Sequence, residues 1–248
     1  MPGMRTPSMQ RKNREPEVTS LFVSDTKFNS VIQRIISYNQ ELAHWVAAEI
    51  VTCTSTKSQS VILNKFIQVA QLCAEIRNFS TCLAILDGLE NLIVRQLPAW
   101  KSLPSKCGGI MDDLEKIKVQ VKGEQSCLMK EKDSHLCPTI PSVLYFLLHV
   151  QQLEIGSFQL ANGMYKWTKM RSICQMIDQI RVFRENEFLF EPDETLQDTI
   201  HQRIVDFSEQ DLHTVASNND ANFRKFTAGG LSGVFKKVKD KLQSKGEK

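Results

Sequence analysis

Residues 62–100, ILNKFIQVAQLCAEIRNFSTCLAILDGLENLIVRQLPAW, decide the fold. Apolar side chains recur at Ile62, Phe66, Ile67, Val69, Ala70, Cys73 and Ile76. Steps of three and four mark the inward stripe of a helix over roughly 58–76. Asn78, Phe79 and Ser80 interrupt it, and Ser80 has the chemistry of an N-cap. The period restarts at Cys82, Leu83, Leu86, Leu89 and Ile93, predicting a second helix over roughly 80–94. Pro98 and Pro104 then bracket an ordered turn with one large anchor, Trp100.

The same period extends in both directions. Upstream, Phe28, Val31, Ile32, Ile35, Leu42, Trp45, Val46 and Ile50 predict a buried helix face over 26–51, with Ser24 or Asp25 as N-cap. The polar, β-branched run TCTSTKSQS ends it. Downstream, Gly108 and Gly109 open a helix over roughly 110–122, and residues 123–139 read as a polar loop. An apolar helix over 141–154 starts at Pro141, a favoured first-turn residue, and ends at Gly156. A long helix over 164–185 carries the stripe Trp167, Met170, Ile173, Cys174, Ile177 and Ile180. Helices over 193–206 and 208–216 follow. Alternation of period two never holds for five residues, so no sheet is expected. The fold class is all-α, about eight helices around one core, without internal repeats.

The 248 residues carry a net charge of +3, unevenly placed. Four basic and no acidic groups lie in residues 1–14, and the stretch 224–248 carries +6, while 15–223 carries −7. An acidic body argues against nucleic-acid binding. The expected organisation is a disordered basic tail at 1–18, a helical domain at 19–220 and a basic tail at 221–248. In that last tail, Leu231, Val234, Phe235, Val238 and Leu242 could share one helix face, with lysines around them, suiting weak contact with an acidic membrane. No apolar run is long enough to span a bilayer and the N-terminus has no secretory signal, so a cytoplasmic protein, peripheral at membranes through that tail, is expected.

The seven cysteines form no C-x-x-C pair, and most have apolar neighbours, which fits buried free thiols in a reducing compartment. No two Cys or His have the spacing of a zinc site. His44 and His149 fall inside helices and read as edge-of-core residues. No phosphate loop, G-x-S-x-G or H-E-x-x-H occurs. No metal, cofactor or covalent chemistry is expected, and binding is favoured over catalysis of bond making.

Four segments in order resemble the Cdc25-homology (Ras-GEF) domain, the catalytic module of guanine-nucleotide exchange factors for Ras-family GTPases. They are YNQELAHWVAAEIV at 38–51, the deciding stretch at 62–100, TIPSVLYFLLHVQQLEIG at 139–156 and YKWTKMRSICQMIDQIRVF at 165–183. The resemblance implies a single multi-helix domain with a protruding helical hairpin, here the helices at 141–155 and 164–184. It implies a small-GTPase partner of the Ras, Rap or Ral type, and an exchange mechanism in which the hairpin pries a switch region from the nucleotide. By position it implies GTPase-binding roles for Asn78, for Gln151, Glu154 and Ile155 at the distal end of the hairpin, and for Lys169 and Arg171 on its second helix.

The sequence departs from the family pattern where the family acts. Ile155 stands where an acidic residue is usual, and Gln151 where a tip leucine is expected. Leu144 replaces a glycine, Leu148-His149 a Thr-Asp/Asn pair, and Gln59 an arginine; the closing Ser-x-x-x-Glu-Pro decays to SNND at 217–220. The opening helices of the family's domain are absent from the resemblance, as is any preceding stabilising module. These changes keep open a second expectation: an inactive, exchange-like adaptor that binds a GTPase or another helical partner.

Overall fold

A computed structural model describes residues 30–123 and 137–222. Nine α-helices are assigned among them: α1 Ser30–Val51, α2 Thr56–Glu75, α3 Phe79–Leu89, α4 Leu92–Arg95, α5 Lys106–Gly123, α6 Val143–Glu154, α7 Trp167–Glu185, α8 Glu194–Ser208 and α9 Leu212–Ser217. No strand is assigned among the described residues; an isolated antiparallel bridge pairs Gln159 with Tyr165. The all-α reading therefore holds. No helix is long and apolar enough to cross a membrane among the described residues. The expected Ser24/Asp25 cap and both basic tails lie outside them, apart from residues 221 and 222.

The chain divides into two compact units, with the boundaries inside α1 and α5. The larger unit comprises residues 38–119 and 188–222. Its core is made where α1, α2 and α3 bring Val46, Ile50, Leu63, Ile67, Leu86 and Leu89 together, all fully buried. Trp45 meets Phe66 edge-to-face, their ring centroids 5.5 Å apart. Gly88 sits where α3 crosses α1: a Cβ there would lie 2.5 Å from the Ala43 carbonyl oxygen. A smaller cluster joins Leu42, Ala84 and Ile204. Phe207, Leu212 and Ala216 from α8 and α9 complete the main core.

Polar groups fix the edges of this unit. Asn219 donates from Nδ2 to the carbonyls of Val51 (2.6 Å) and Cys53 (2.8 Å), and Asn222 donates to Val51 (3.2 Å) and Ala216 (3.1 Å). The bonds to Val51 and Cys53 satisfy carbonyls that the end of α1 would otherwise leave open, and the bond to Ala216 ties Asn222 to α9. Gln59 is fully buried and donates to Asn222 Oδ1 at 2.5 Å. Two of the family departures, Gln59 and the SNND run, thus belong to packing at this corner. Lys118 is buried to 7% exposure between Asp87 and Glu90 and bonds both. His44 bonds the Phe207 carbonyl at 3.0 Å, as an edge-of-core histidine does.

Several boundaries differ from the sequence reading. The predicted helix over 80–94 is two helices, because Asn91 caps a new turn through Ile93 N. Its N-cap is Asn78, not Ser80, whose hydroxyl instead meets the Asn39 amide. Gly108 and Gly109 lie inside α5 rather than before it, since a start at Lys106 leaves them on the exposed side of its first turns. Val69 and Ile76, expected inside, are 44% and 41% exposed. Within this unit α2 packs chiefly against α3 and the 3₁₀ turn Pro98–Ser102, and Val69, Leu72 and Ile76 lie on its exposed side.

The smaller unit comprises residues 30–37, 120–123 and 137–187 among those described. It contains α6 and α7, which pack on each other as a helical hairpin. Pro141 lies before the N-cap Ser142 rather than in the first turn of α6. His149 is buried on α6, with Nε2 at 2.9 Å from the Lys122 carbonyl. Val31 is 60% exposed, against the expected burial. The predicted stripe of α7 is also largely outside: Trp167 and Ile177 are 75% and 56% exposed, and Cys174 is exposed. α7 packs chiefly against α6, and the residues of its predicted stripe lie largely on the exposed side. Cys137 is exposed too, whereas Cys82 and Cys107 in the larger unit are buried as expected.

Candidate functional site: the helical hairpin and the Asn78 corner

The hairpin turn is ordered by its own backbone. Gly156 (φ +80°) ends α6, and Gly163 (φ +84°) reverses the chain; both lie in the left-handed region that favours glycine. Between them Leu160 N donates to Met164 O (2.7 Å), Gly163 N to Leu160 O (2.9 Å) and Lys166 N to Phe158 O (2.8 Å). Asn162 accepts from Met164 N through Oδ1. The two helices are therefore joined by a short hydrogen-bonded ladder rather than a free loop.

Lys169 closes the same turn from α7. Its ammonium donates to the carbonyls of Ile155 (2.9 Å) and Gly156 (2.8 Å), with Glu154 O further off at 3.4 Å. It also stands 4.4 Å from the centre of the Phe158 ring. A cation on the last carbonyls of a helix satisfies open acceptors and complements the negative end of the helix dipole. A cation over an aromatic face adds attraction. The sequence reading assigned Lys169 to a GTPase; within the hairpin its ammonium bonds the carbonyls that end α6.

The other hairpin candidates are placed as follows. Ile155 is 73% exposed and points its apolar side chain to solvent. Gln151 is half-buried one turn before it. Glu154 is half-buried, and its Oε2 is shut off from solvent. Arg171 is exposed on α7. So Gln151, Glu154, Ile155 and Lys169 are brought together at the distal end of the hairpin. Sequence reasoning missed the apolar company they keep: Leu160, Met164, Tyr165 and Trp167 are 45%, 60%, 55% and 75% exposed. The signal was present, since an aromatic pair beside a glycine turn is hard to bury, but helical periodicity assigned Trp167 inward.

Asn78 belongs to the larger unit. Its backbone N–H closes α2 on the Cys73 carbonyl (2.7 Å), while Arg77 N bonds Ala74 O. Arg77 takes φ +63°, the left-handed position that a glycine normally fills in this motif. The Asn78 side chain then opens α3, Oδ1 accepting from Thr81 N at 3.1 Å. One residue thus ends one helix and begins the next, and its amide Nδ2 has no hydrogen bond among the described residues. Among the described residues no group of three His, Cys, Asp or Glu side chains is placed to hold a metal ion.

The sequence pattern of the RasGEF domain matches residues 8–171, and this chain belongs to the RasGEF domain family. It is similar to kinase non-catalytic C-lobe domain-containing protein 1 of Homo sapiens, 39% identical over 224 residues, which cover 90% of this chain and 13% of that protein. It is 28% identical over 240 residues to Ras guanine nucleotide exchange factor M of Dictyostelium discoideum, covering 94% of this chain and 25% of the relative. It is 28% identical over 155 residues to Rap guanine nucleotide exchange factor-like 1 of Homo sapiens, covering 62% and 23%. The chain spans a quarter or less of each of these three relatives.

Proposed function

We propose that this domain promotes GDP release from a Ras-family small GTPase, using the distal end of the α6–α7 hairpin. Membership of the RasGEF family supports the class. The observation that carries the reading is the locked, apolar tip: Ile155 is 73% exposed on a turn that Lys169 and two left-handed glycines hold in place. A preformed tip can meet a GTPase switch region without first being ordered, so less binding free energy is lost on association. The GTPase is released from GDP because the hairpin binds its nucleotide-free conformation best; cellular GTP then fills the site. No covalent bond is made or broken by this chain. The reaction takes place at membranes, where such GTPases reside.

A second reading is favoured by one feature. Ile155 stands where the resemblance expects an acid, and Glu154 keeps one carboxylate oxygen away from solvent. A tip without a free carboxylate can grip an apolar surface but competes poorly with nucleotide phosphates for cations. That describes an adaptor which holds a GTPase and releases nucleotide slowly.

The test is release of a fluorescent GDP analogue from Ras, Rap and Ral proteins under excess GTP. Acceleration with one of them, reduced by Asn78→Asp, supports exchange. Asn78→Asp is preferred to Asn78→Ala because it keeps the Oδ1 that caps α3 while replacing the Nδ2 donor, and the negative charge it adds is one that a helix start favours. A flat trace with all three, from a chain whose melting is cooperative, refutes exchange. Stable capture of a nucleotide-free GTPase without release then identifies the adaptor.

A further inference from the structure

The larger unit carries a cleft of about 570 Å³ along the outer side of α2, closed on its other flank by Ser102 and Pro104. Lys57, Val61 and Lys65 form its α2 rim. They are spaced by four residues, so they follow one ridge of the helix at intervals of about 6 Å. Both lysines are exposed and neither has an ion pair or hydrogen bond among the described residues. Val61 between them is 48% exposed. A cation–apolar–cation row beside Asn64 and Gln68 suits an extended strand with two carboxylates flanking one apolar side chain.

The chain itself contains that counterpart. Residues 186–193 are neither helix nor turn, and Asn186 begins them in an extended conformation, φ −108° and ψ 122°. Phe188 and Phe190 stack with centroids 5.8 Å apart, which places residues i and i+2 on one side of the backbone. Glu187, Leu189 and Glu191 therefore share the opposite side, at intervals of about 6.6 Å. Leu189 is 98% exposed, and both glutamates are exposed without an ion pair among the described residues. The two rows match in spacing, in charge and in the apolar residue at the centre.

We infer that residues 187–191 of a second copy of this chain dock in the α2 cleft, with Glu187 and Glu191 on Lys57 and Lys65 and Leu189 on Val61. Both rows read the same in either direction, so the match fixes register and leaves strand polarity open. Reciprocal docking of two segments closes a symmetric dimer. The contact is small and charge-dominated, so the expected dissociation constant is on the order of 100 µM and rises with salt. This inference is independent of the exchange reading and uses no residue of the hairpin tip.

Sedimentation equilibrium of the full chain tests it, with two charge reversals, Lys57→Glu/Lys65→Glu and Glu187→Lys/Glu191→Lys. The wild type is expected to self-associate with rising concentration, and each variant alone to associate more than about tenfold more weakly. Mixing the two variants restores association, because each reversed row then meets its complement; a variant that merely misfolds is not rescued by mixing. A wild type that stays monomeric at several times the expected dissociation constant overturns the proposal. So does association that survives both reversals. A synthetic peptide of residues 186–193 that binds the cleft while the chain stays monomeric overturns the second copy as occupant, and points to an acidic segment of another protein.

Discussion

Gly88→Ala sets two physical effects against each other at one atom. Alanine is favoured over glycine inside a helix by about 1 kcal/mol, so propensity alone predicts stabilisation. Where α3 crosses α1, however, the new Cβ would lie 2.5 Å from Ala43 O, 2.8 Å from Val46 Cβ and 2.9 Å from Val46 Cγ1. The nearest atom is backbone, so it cannot be cleared by a rotamer change. α1 and α3 must move apart by roughly 0.5–1 Å, opening contacts between Val46, Ile50 and Leu86 in the main core. Because the nearest atom is backbone, the cost falls in the upper part of the usual overpacking range, about 2–3 kcal/mol. Set against the propensity gain, the expected net loss is about 1–2 kcal/mol. For a body of this size that is a melting temperature lower by roughly 2–8 °C. Gly108 and Gly109 provide the control, since a Cβ at either meets nothing within 4 Å. Gly108→Ala and Gly109→Ala, each made alone, should raise the melting temperature by roughly 2–4 °C through propensity. The assay is thermal denaturation followed by circular dichroism, with urea midpoints as a second measure. A Gly88→Ala protein as stable as the control would refute the close crossing of α1 and α3.

Lys169→Met should leave the melt of the larger unit unchanged while speeding amide hydrogen exchange at residues 155–166, because the carbonyls of Ile155 and Gly156 lose their donor; Lys169→Arg should recover part of the protection, and equal exchange in all three proteins would show that the lysine does not hold the turn. Asn219→Ala should cost about 1–3 kcal/mol, read from urea denaturation, because it strips donors from the Val51 and Cys53 carbonyls; a loss below a few tenths would mean that water replaces them freely. Burial pushes the Cys82 thiol up to about 12, with the neighbouring Cys73 adding to the shift. The folded protein therefore holds that proton more tightly than the unfolded chain. Its contribution to stability is complete below the ordinary thiol range and fades as pH rises from about 9 towards 12. Alkylation read by peptide mass spectrometry at pH 8 should label Cys137 and Cys174 and spare Cys82; labelling of Cys82 at a comparable rate would contradict its burial.

The helical period was legible wherever one face of a helix meets a thick core. Val46, Ile50, Ile67, Leu86 and Leu89 are fully buried where the sequence predicts them, and Leu63, which the predicted stripe left out, joins them. It misled where a helix has one neighbour or an open edge. Val69 and Ile76 on α2, and Trp167 and Ile177 on α7, continue an apolar stripe on to surface that stays exposed among the described residues. Caps were partly legible: Asn, Ser and Asp mark helix starts as a class, but the choice of Asn78 over Ser80 depends on which side chain faces the free N–H of Thr81. Of the candidate site, residue types and order were readable through the family pattern, while the use each side chain makes of its polar atoms was not. Lys169 was readable only as a basic position on the second hairpin helix; its bonds to the last carbonyls of α6 appear in three dimensions.

Sequence alone determined the all-α class, the helix order, the family and the position of the hairpin. Those follow from local spacing and from motifs, which a chain carries before it folds. Tertiary structure alone decided which apolar residues stay in water, that Gln59 and Asn219 serve packing, and that residues 187–191 present a charged row matching the row on α2. These depend on distances between segments far apart in the chain. Asn219 finds the end of α1 only because folding brings together groups more than 160 residues apart, and no local pattern encodes that meeting.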